Sequence, residues 1–310
     1  MTAAAELLAD RGAAAEDEEF FRSRPFFDAE GVTHTLRIEA GGTELLAPLI
    51  VRAIPDTDLR DAISPYGYPG AARRREWPAV DPDTVDFSEA GLVSAFLRHA
   101  LGDPPLAGAV ARNVVQIADP GLPRSWRASD RNRINKNRRA GYEVSVDPGP
   151  QTSAEQQAGF LGAYEQTMRR TAAAERYFFD ATWFERILAS PLSWLAAARA
   201  PDGRIAAASI AVRSDGFLHY YLSGSSDEHL RDSPMRNVIA ALADLAAEQA
   251  LPLNLGGGIS RGDRLEEFKR GFANREQPWH TSEIVCDREA YDRLSAGREA
   301  SDFFPAYRSS

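Results

Sequence analysis

Apolar positions along this chain repeat with two different periods. In THTLRIEA (33–40) and TELLAPLIVRAI (43–54) they alternate, and Gly41-Gly42 between them predicts a hairpin. Residues 17–30 predict a short helix and turn before it. ISPYGYPG (63–70) is so dense in Pro, Gly and Tyr that it must be a loop. SEAGLVSAFLRHAL (88–101) then predicts a helix capped by Ser88 and ended by Gly102 and Pro104-Pro105. GAVARNVVQIAD (108–119) predicts a strand, residues 130–140 a helix stopped by Gly141, and YEVSV (142–146) another strand.

DPGPQTS (147–153) interrupts both periods and suggests a boundary between domains 1–148 and 149–310. Thr152 and Ser153 are placed to cap a new helix, with Glu155 and Gln156 at capping-box spacing. Phe160, Tyr164 and Met168 give that helix its apolar stripe. A further helix is expected at 181–189. LSWLAAARA, RIAAASIAVR and FLHYYLSGS (192–225) predict an antiparallel meander, with turns at Pro201-Asp202-Gly203 and Ser214-Asp215-Gly216. Pro234 suits the first turn of a helix reaching about residue 249, with Val238, Leu242 and Leu245 buried. LPLNLGGG (251–258) predicts a strand, 263–270 a short helix, and PWHTSEIVCD (278–287) a closing strand.

Composition narrows the class. With 310 residues, 44% of them hydrophobic and 26% charged, the chain is long enough for two compact units. No apolar run approaches ~18 residues, so no membrane span is expected. The N-terminus lacks the basic start and apolar core of a signal peptide. The single cysteine, Cys286, precludes an internal disulfide and fits a reducing cytoplasm, as buried filler rather than a nucleophile. Net charge is −9, yet residues 124–139 carry +6, so the remainder carries −15. Such a local basic stripe can hold a phosphate-bearing ligand on an acidic body.

Of the 36 basic residues, only Lys136 and Lys269 are lysine. Arginine is a fixed planar fork, whereas lysine is a compact charge whose pKa can be moved. A chain that writes Arg almost everywhere and keeps Lys269 has a use for an ammonium there, unless it is a surviving surface lysine. Lys269 follows Gly256-Gly257-Gly258, where glycines let a ligand or another backbone approach closely.

Two other segments carry candidate chemistry. Tyr66, Gly67 and Tyr68 suit a polar ligand with an apolar body, or an edge loop packed by its own tyrosines. In the basic helix, Arg124, Arg127, Arg131, Arg133, Lys136, Arg138 and Arg139 could clamp phosphates beside Trp126, or form a solvated surface. His219 and Tyr221 lie on one strand, where the histidine either faces a cleft or is structural. The five histidines show no metal-ligand spacing, so no metal is expected.

In order, the Pro-Tyr-Gly loop, NRINKNRRAGYEV, Y-x-x-T-M-R-R, HYYLSGS and LGGG-x9-FK-x-GF resemble the Fem-type transferases of the GNAT superfamily, over about residues 60 to 285. That resemblance implies an α/β (α+β) fold of two GNAT-like lobes, each a mixed, mainly antiparallel sheet flanked by helices. The final stretch of the chain is expected to pack back on the first lobe.

It also implies transfer of an aminoacyl group from aminoacyl-tRNA to an amine on a small peptide or nucleotide-linked acceptor. That acceptor would belong to cell-wall or natural-product synthesis, and no cofactor would be bound tightly. Lys269 matches the family's Phe-Lys lysine, near the reacting carbonyl or donor phosphates. Tyr66, Gly67 and Tyr68 match the substrate-side loop; Gly256, Gly257, Gly258, His219 and Tyr221 join them as substrate-binding candidates. Arg131, Arg133, Lys136, Arg138 and Arg139 are the phosphate or tRNA candidates. The long helical arm of several Fem proteins is missing, which keeps an acyl-CoA donor open as the alternative. A CoA-type R/Q-x-x-G-x-G/A loop is only half matched by Arg138–Glu143 and by residues 156–161. A non-catalytic binder on the same fold is the third reading.

Overall fold

A computed structural model describes residues 3–74, 77, 80–298 and 303–309. In chain order these form β1 (Ala3–Leu8), α1 (Arg24–Glu30), β2 (His34–Ala40), β3 (Thr43–Ala53), β4 (Arg60–Ile63), β5 (Ala72–Arg74), β6 (Val85–Asp86), β7 (Ser94–Arg98), β8 (Val110–Ala118), α2 (Ala128–Arg139), β9 (Glu143–Pro148), α3 (Ala154–Arg170), α4 (Ala181–Leu188), β10 (Ser193–Arg199), β11 (Ile205–Ser214), β12 (Phe217–Ser225), α5 (Met235–Glu248), β13 (Leu253–Gly256), α6 (Arg264–Arg270), β14 (Arg275–Val285) and α7 (Arg288–Ser295). They divide into two compact units, 1–17 with 21–112 and 278–310, and 18–20 with 113–277. The boundary expected at 148 therefore falls inside the second unit. The Pro-Gly break at 147–153 misleads because β9 before it is zipped onto β10, from Glu143 opposite Arg199 to Pro148 opposite Trp194.

In the first unit the sheet order is β6-β1-β2-β3-β4-β7-β14, with β5 on β3. The Gly41-Gly42 hairpin forms as expected, with Ala40 opposite Thr43. Leu36, Ile38, Leu45, Ala47 and Leu49 build the core with Ala95 and Leu97. The helix expected at 88–101 does not form. Gly91 turns the chain at φ 59° after a single turn at Ser88–Ala90, and residues 94–98 run as β7, parallel to β4. Ala95 and Leu97 are buried while Phe96 and Arg98 are only half-buried, so the period there is two.

In the second unit the order is β8-β13-β12-β11-β10-β9. The meander of β10, β11 and β12 is antiparallel, and β13 joins β12 in parallel. Ala196, Ala197, Ala198, Ala206, Ala207 and Ala208 are all buried. Small residues on both faces let helices cover the sheet on either side, α3 against β11 and β12, and α5 against β9 and β10. The capping box at the start of α3 is realised: Ser153 Oγ accepts from Gln156 N, and Gln156 Oε1 accepts from Ser153 N. Among the described residues no helix is long and apolar enough to cross a membrane.

Candidate functional site

Lys269 lies in the second unit, on α6, and is 8% exposed. Its Nζ donates to the carbonyl of Gly257 at 2.7 Å. Among the described residues no acceptor is present for its other two N–H groups. Burial pushes its pKa down to about 8, and the nearby Asp263 carboxylate opposes that shift. The ammonium is thus held out of bulk water and can still lose its proton near neutrality.

The loop under it is built by side chains that converge from distant positions. Asp263 caps α6, accepting from Glu266 N at 2.7 Å, and also from Ile259 N at 2.7 Å and Ser260 N at 3.0 Å. Those backbone bonds hold its carboxyl below the usual carboxylate range. Asn113 Nδ2 donates to Gly258 O at 2.9 Å. A Cβ on Gly257 would sit 2.5 Å from Asn113 Nδ2, and one on Gly258 would sit 2.4 Å from Asp263 Oδ1. Glycine is required here because two side chains close on the backbone.

Asp263 and Asn113 were not among the sequence candidates. Asp263 lies at the start of the short helix expected at 263–270. Asn113 had no local signal, being 145 residues from its partner. Replacing Asp263 with Asn keeps the acceptor for Glu266 N, gives up the one for Ile259 N and Ser260 N, and removes a charge that favours the protonated lysine. The alkaline limb of activity is then expected below pH 8, where the wild-type limb should centre near Lys269's value of about 8. A pH–rate profile of both proteins checks this, and coincident limbs would separate Asp263 from the lysine.

β12 reaches the same region. It pairs with β13 only at Leu218–Leu253 and His219–Asn254, although it continues to Ser225. The two parallel strands part after that. Across β11, Ile210 faces Leu222 and Ala211 faces Tyr220, so Tyr221 is the extra residue of a β-bulge. Bulges re-aim side chains, and the Tyr221 ring meets Trp183 at 6.3 Å and Phe20 at 6.1 Å.

His219 does not face a cleft. It is 1% exposed, with Nε2 3.1 Å from Ser214 O and Nδ1 3.0 Å from Asn254 Nδ2. Burial lowers its pKa to about 4, so the ring is neutral, donating to Ser214 and accepting from Asn254. It is a core histidine that fastens β12 to β13, not a substrate ligand.

The basic helix α2 forms as expected. Its inner face is polar: Asp130 is buried against Arg236 Nε at 2.7 Å, and Asn137 is bonded to Asn237 Oδ1 at 2.8 Å. Arg133 approaches Asp232 at 4.0 Å. Arg131, Lys136, Arg138 and Arg139 have no carboxylate partner among the described residues. A pocket of about 320 Å³ lies beside them, lined by Arg124, Trp126, Arg131, Ile134, Asn135, Arg138, Ala240 and Asp244.

Asp202, Glu228 and His229 place ligand atoms within 4.8 Å of one another. Arg204 already pairs with both carboxylates, at 2.7 and 2.9 Å.

Tyr66, Gly67 and Tyr68 belong to the first unit. Tyr66 N donates to Glu30 Oε2 at 2.8 Å, and Tyr68 packs between Phe21 at 5.8 Å and Trp279 at 5.6 Å. Gly67 has φ +110°, and a Cβ there would strike the Phe21 ring at 2.5 Å. Cys286 is partly exposed, and burial of its thiol pushes the pKa up to about 12, so it is no nucleophile at neutral pH.

Residues 124–270 match the family model described as an acetyltransferase (GNAT) domain. Among solved structures the chain is similar to FemX, at 11% identity and TM-score 0.60 over 87% of this chain and 93% of that one. It is similar to a C-terminal domain (DUF2156) named for a lysylphosphatidylglycerol synthetase of Agrobacterium fabrum, at 16% identity and TM-score 0.57 over 91% and 94%. It is also similar to L-PGS from Bacillus licheniformis, at 14% identity and TM-score 0.51 over 82% and 85%. At these identities the likeness is one of fold. No curated protein matches the chain.

Proposed function

We propose that this chain, with its acetyltransferase (GNAT) domain match over residues 124–270 and its fold similar to that of FemX, is an acyltransferase that moves an aminoacyl group from aminoacyl-tRNA to an amine on a small peptide or nucleotide-linked acceptor. The observation that carries this reading is the buried Lys269 ammonium, bonded to Gly257 O at 2.7 Å within the GNAT domain. Aminoacyl transfer needs a neutral amine, an activated ester and stabilisation of a tetrahedral oxyanion. The amine attacks the ester carbonyl, the C–N bond forms, and the oxyanion accepts from the N–H groups of Lys269 that Gly257 does not occupy. Collapse breaks the ester C–O bond and releases the 3′-hydroxyl, which takes up the amine's proton. A preorganised donor of this kind acts on charge as it develops.

One feature supports tRNA over CoA as donor. α2 offers cationic side chains without carboxylate partners, suited to a phosphate backbone. Acyl-CoA remains the second reading because the matching family model is described as an acetyltransferase domain. Tyr66, Gly67 and Tyr68 are assigned to the acceptor side, and Gly256, Gly257, Gly258 and Tyr221 to the reacting end.

The test is a transfer assay with the purified chain, a pool of charged tRNAs bearing labelled amino acids, and amine acceptors. RNase-sensitive label in the acceptor is the expected result. Label from acyl-CoA alone, with CoA binding detected by calorimetry, would replace the tRNA donor. A protein that only binds transfers nothing from either.

A further inference from the structure

We propose that the pocket between α2 and α5 is a binding site for a single nucleotide, base and phosphate together. The proposal rests on the reading of α2 as a phosphate-binding surface and adds what that surface selects. Arg131, Ile134, Asn135 and Arg138 stand at i, i+3, i+4 and i+7, so one face of α2 forms a wall of the pocket. Ala240 and Asp244, one turn apart on α5, form another.

The third wall is a cation–π pair. The Arg124 guanidinium lies 4.9 Å from the Trp126 ring centre and is held there by Asp244 at 2.6 Å. Trp126 is itself braced edge-on by Phe272 at 5.5 Å. Guanidinium and indole groups are what proteins offer to an unstacked base. Ile134 is buried and supplies an apolar floor with Ala240.

Asn135 brings one acceptor and two donors to the pocket, suited to a base edge. Its side chain has no hydrogen bond among the described residues. Arg131 and Arg138 lie seven residues apart, about 10 Å along the helix at 1.5 Å per residue. Neither meets a carboxylate among the described residues, so either can receive a phosphate without breaking an ion pair. At about 320 Å³ the pocket lies within the range of small-ligand sites. A plain anion site would need neither the indole nor the apolar floor.

The source is either the single-stranded end of an RNA or a nucleotide-linked acceptor. The two share base and phosphate, and the titration separates them. AMP, UDP, the trinucleotide CpCpA, adenosine and inorganic phosphate are titrated into the full chain at low salt by calorimetry. AMP or UDP is expected to bind at least tenfold more tightly than adenosine or phosphate. Preference for CpCpA points to RNA, and preference for UDP to the acceptor. The double variant Arg131→Gln/Arg138→Gln changes two exposed side chains, so its fold should persist, as circular dichroism would verify. It is expected to lose tenfold or more in nucleotide affinity. For CpCpA its salt slope should flatten by about 0.7 per lost phosphate contact.

Phosphate binding as tightly as AMP would overturn the proposal and leave an anion site. Unaltered affinity in the double variant, or no nucleotide binding at all, would overturn it too. Transfer is read separately: Lys269→Ala should lower turnover by about 10²–10³ and leave nucleotide binding intact. Transfer without nucleotide binding therefore sinks the pocket alone, and nucleotide binding without transfer sinks the tRNA donor alone.

Discussion

Lys269→Ala is expected to lower the single-turnover transfer rate by about 10²–10³, corresponding to ~3–4 kcal/mol of lost oxyanion stabilisation. Substrate affinity should change far less, because the lost bond belongs to the transition state. Truncation also leaves the Gly257 carbonyl without its donor, which costs about 1–3 kcal/mol of stability when the group is buried. Lys269→Met keeps the apolar stem and isolates the charge. Lys269→Arg should fail nearly as badly, since a planar fork does not reproduce a point ammonium on one carbonyl. Each variant is checked by circular dichroism and thermal melting before its rate is read. A loss of tenfold or less in a folded Lys269→Ala protein would remove this residue from the chemistry.

The second large effect is on stability in acid. Burial lowers the pKa of His219 to about 4, and that of His99 to about 4. Neighbouring His280 and Arg73 contribute to the His99 shift after burial. Unfolded histidine titrates near 6.5. Between about pH 6.5 and 4 the unfolded chain therefore binds protons that the folded chain refuses. Stability from these two groups is fully present above pH 6.5 and drains away as pH falls through 4. Each shift represents at most about 3 kcal/mol, a large share of the ~5–15 kcal/mol typical of a folded domain.

Thermal unfolding followed from pH 7 to pH 4 should show a steep fall in Tm. Carboxylates such as Asp263, whose pKa is also lowered, act in the same direction at lower pH. The histidine part is isolated by His99→Gln, which retains a partner for Ser282 Oγ, and by His219→Gln. Each should flatten the curve between pH 6.5 and 4. Curves parallel to wild type would show that neither ring resists protonation.

Much of the second unit was legible from local pattern. The meander, its two Asp-Gly turns and the α3 cap are written in contiguous residues, and all form. Lys269 was legible for a different reason: its rarity, and the Phe-Lys motif after three glycines. What sequence could not supply is pairing at a distance.

His219 was open as a cleft residue because Asn254, which satisfies it, lies 35 positions away. Asn113 was invisible for the same reason. The segment 88–101 contains good helix formers, and only pairing at a distance, parallel with β4 and antiparallel with β14, decides for a strand. The boundary expected at 148 followed a real Pro-Gly break, but β9 and α2 are held by partners that come later in the chain. The pocket beside α2 was half legible: its arginines stood in one basic run, while Ala240 and Asp244 come from α5.

The most direct test of the central claim uses the scarcity of lysine. With only Lys136 and Lys269 in the chain, a ¹⁵N-lysine sample gives two side-chain signals, assigned by Lys136→Arg. Followed by NMR against pH, the Lys269 Nζ is expected to titrate near 8. Lys136, exposed on α2, serves as the internal reference. Adding an aminoacylated RNA minihelix bearing a non-hydrolysable linkage should perturb the Lys269 signal. A Lys269 signal that titrates at the free lysine value near 10.4 and is indifferent to the minihelix would contradict the account.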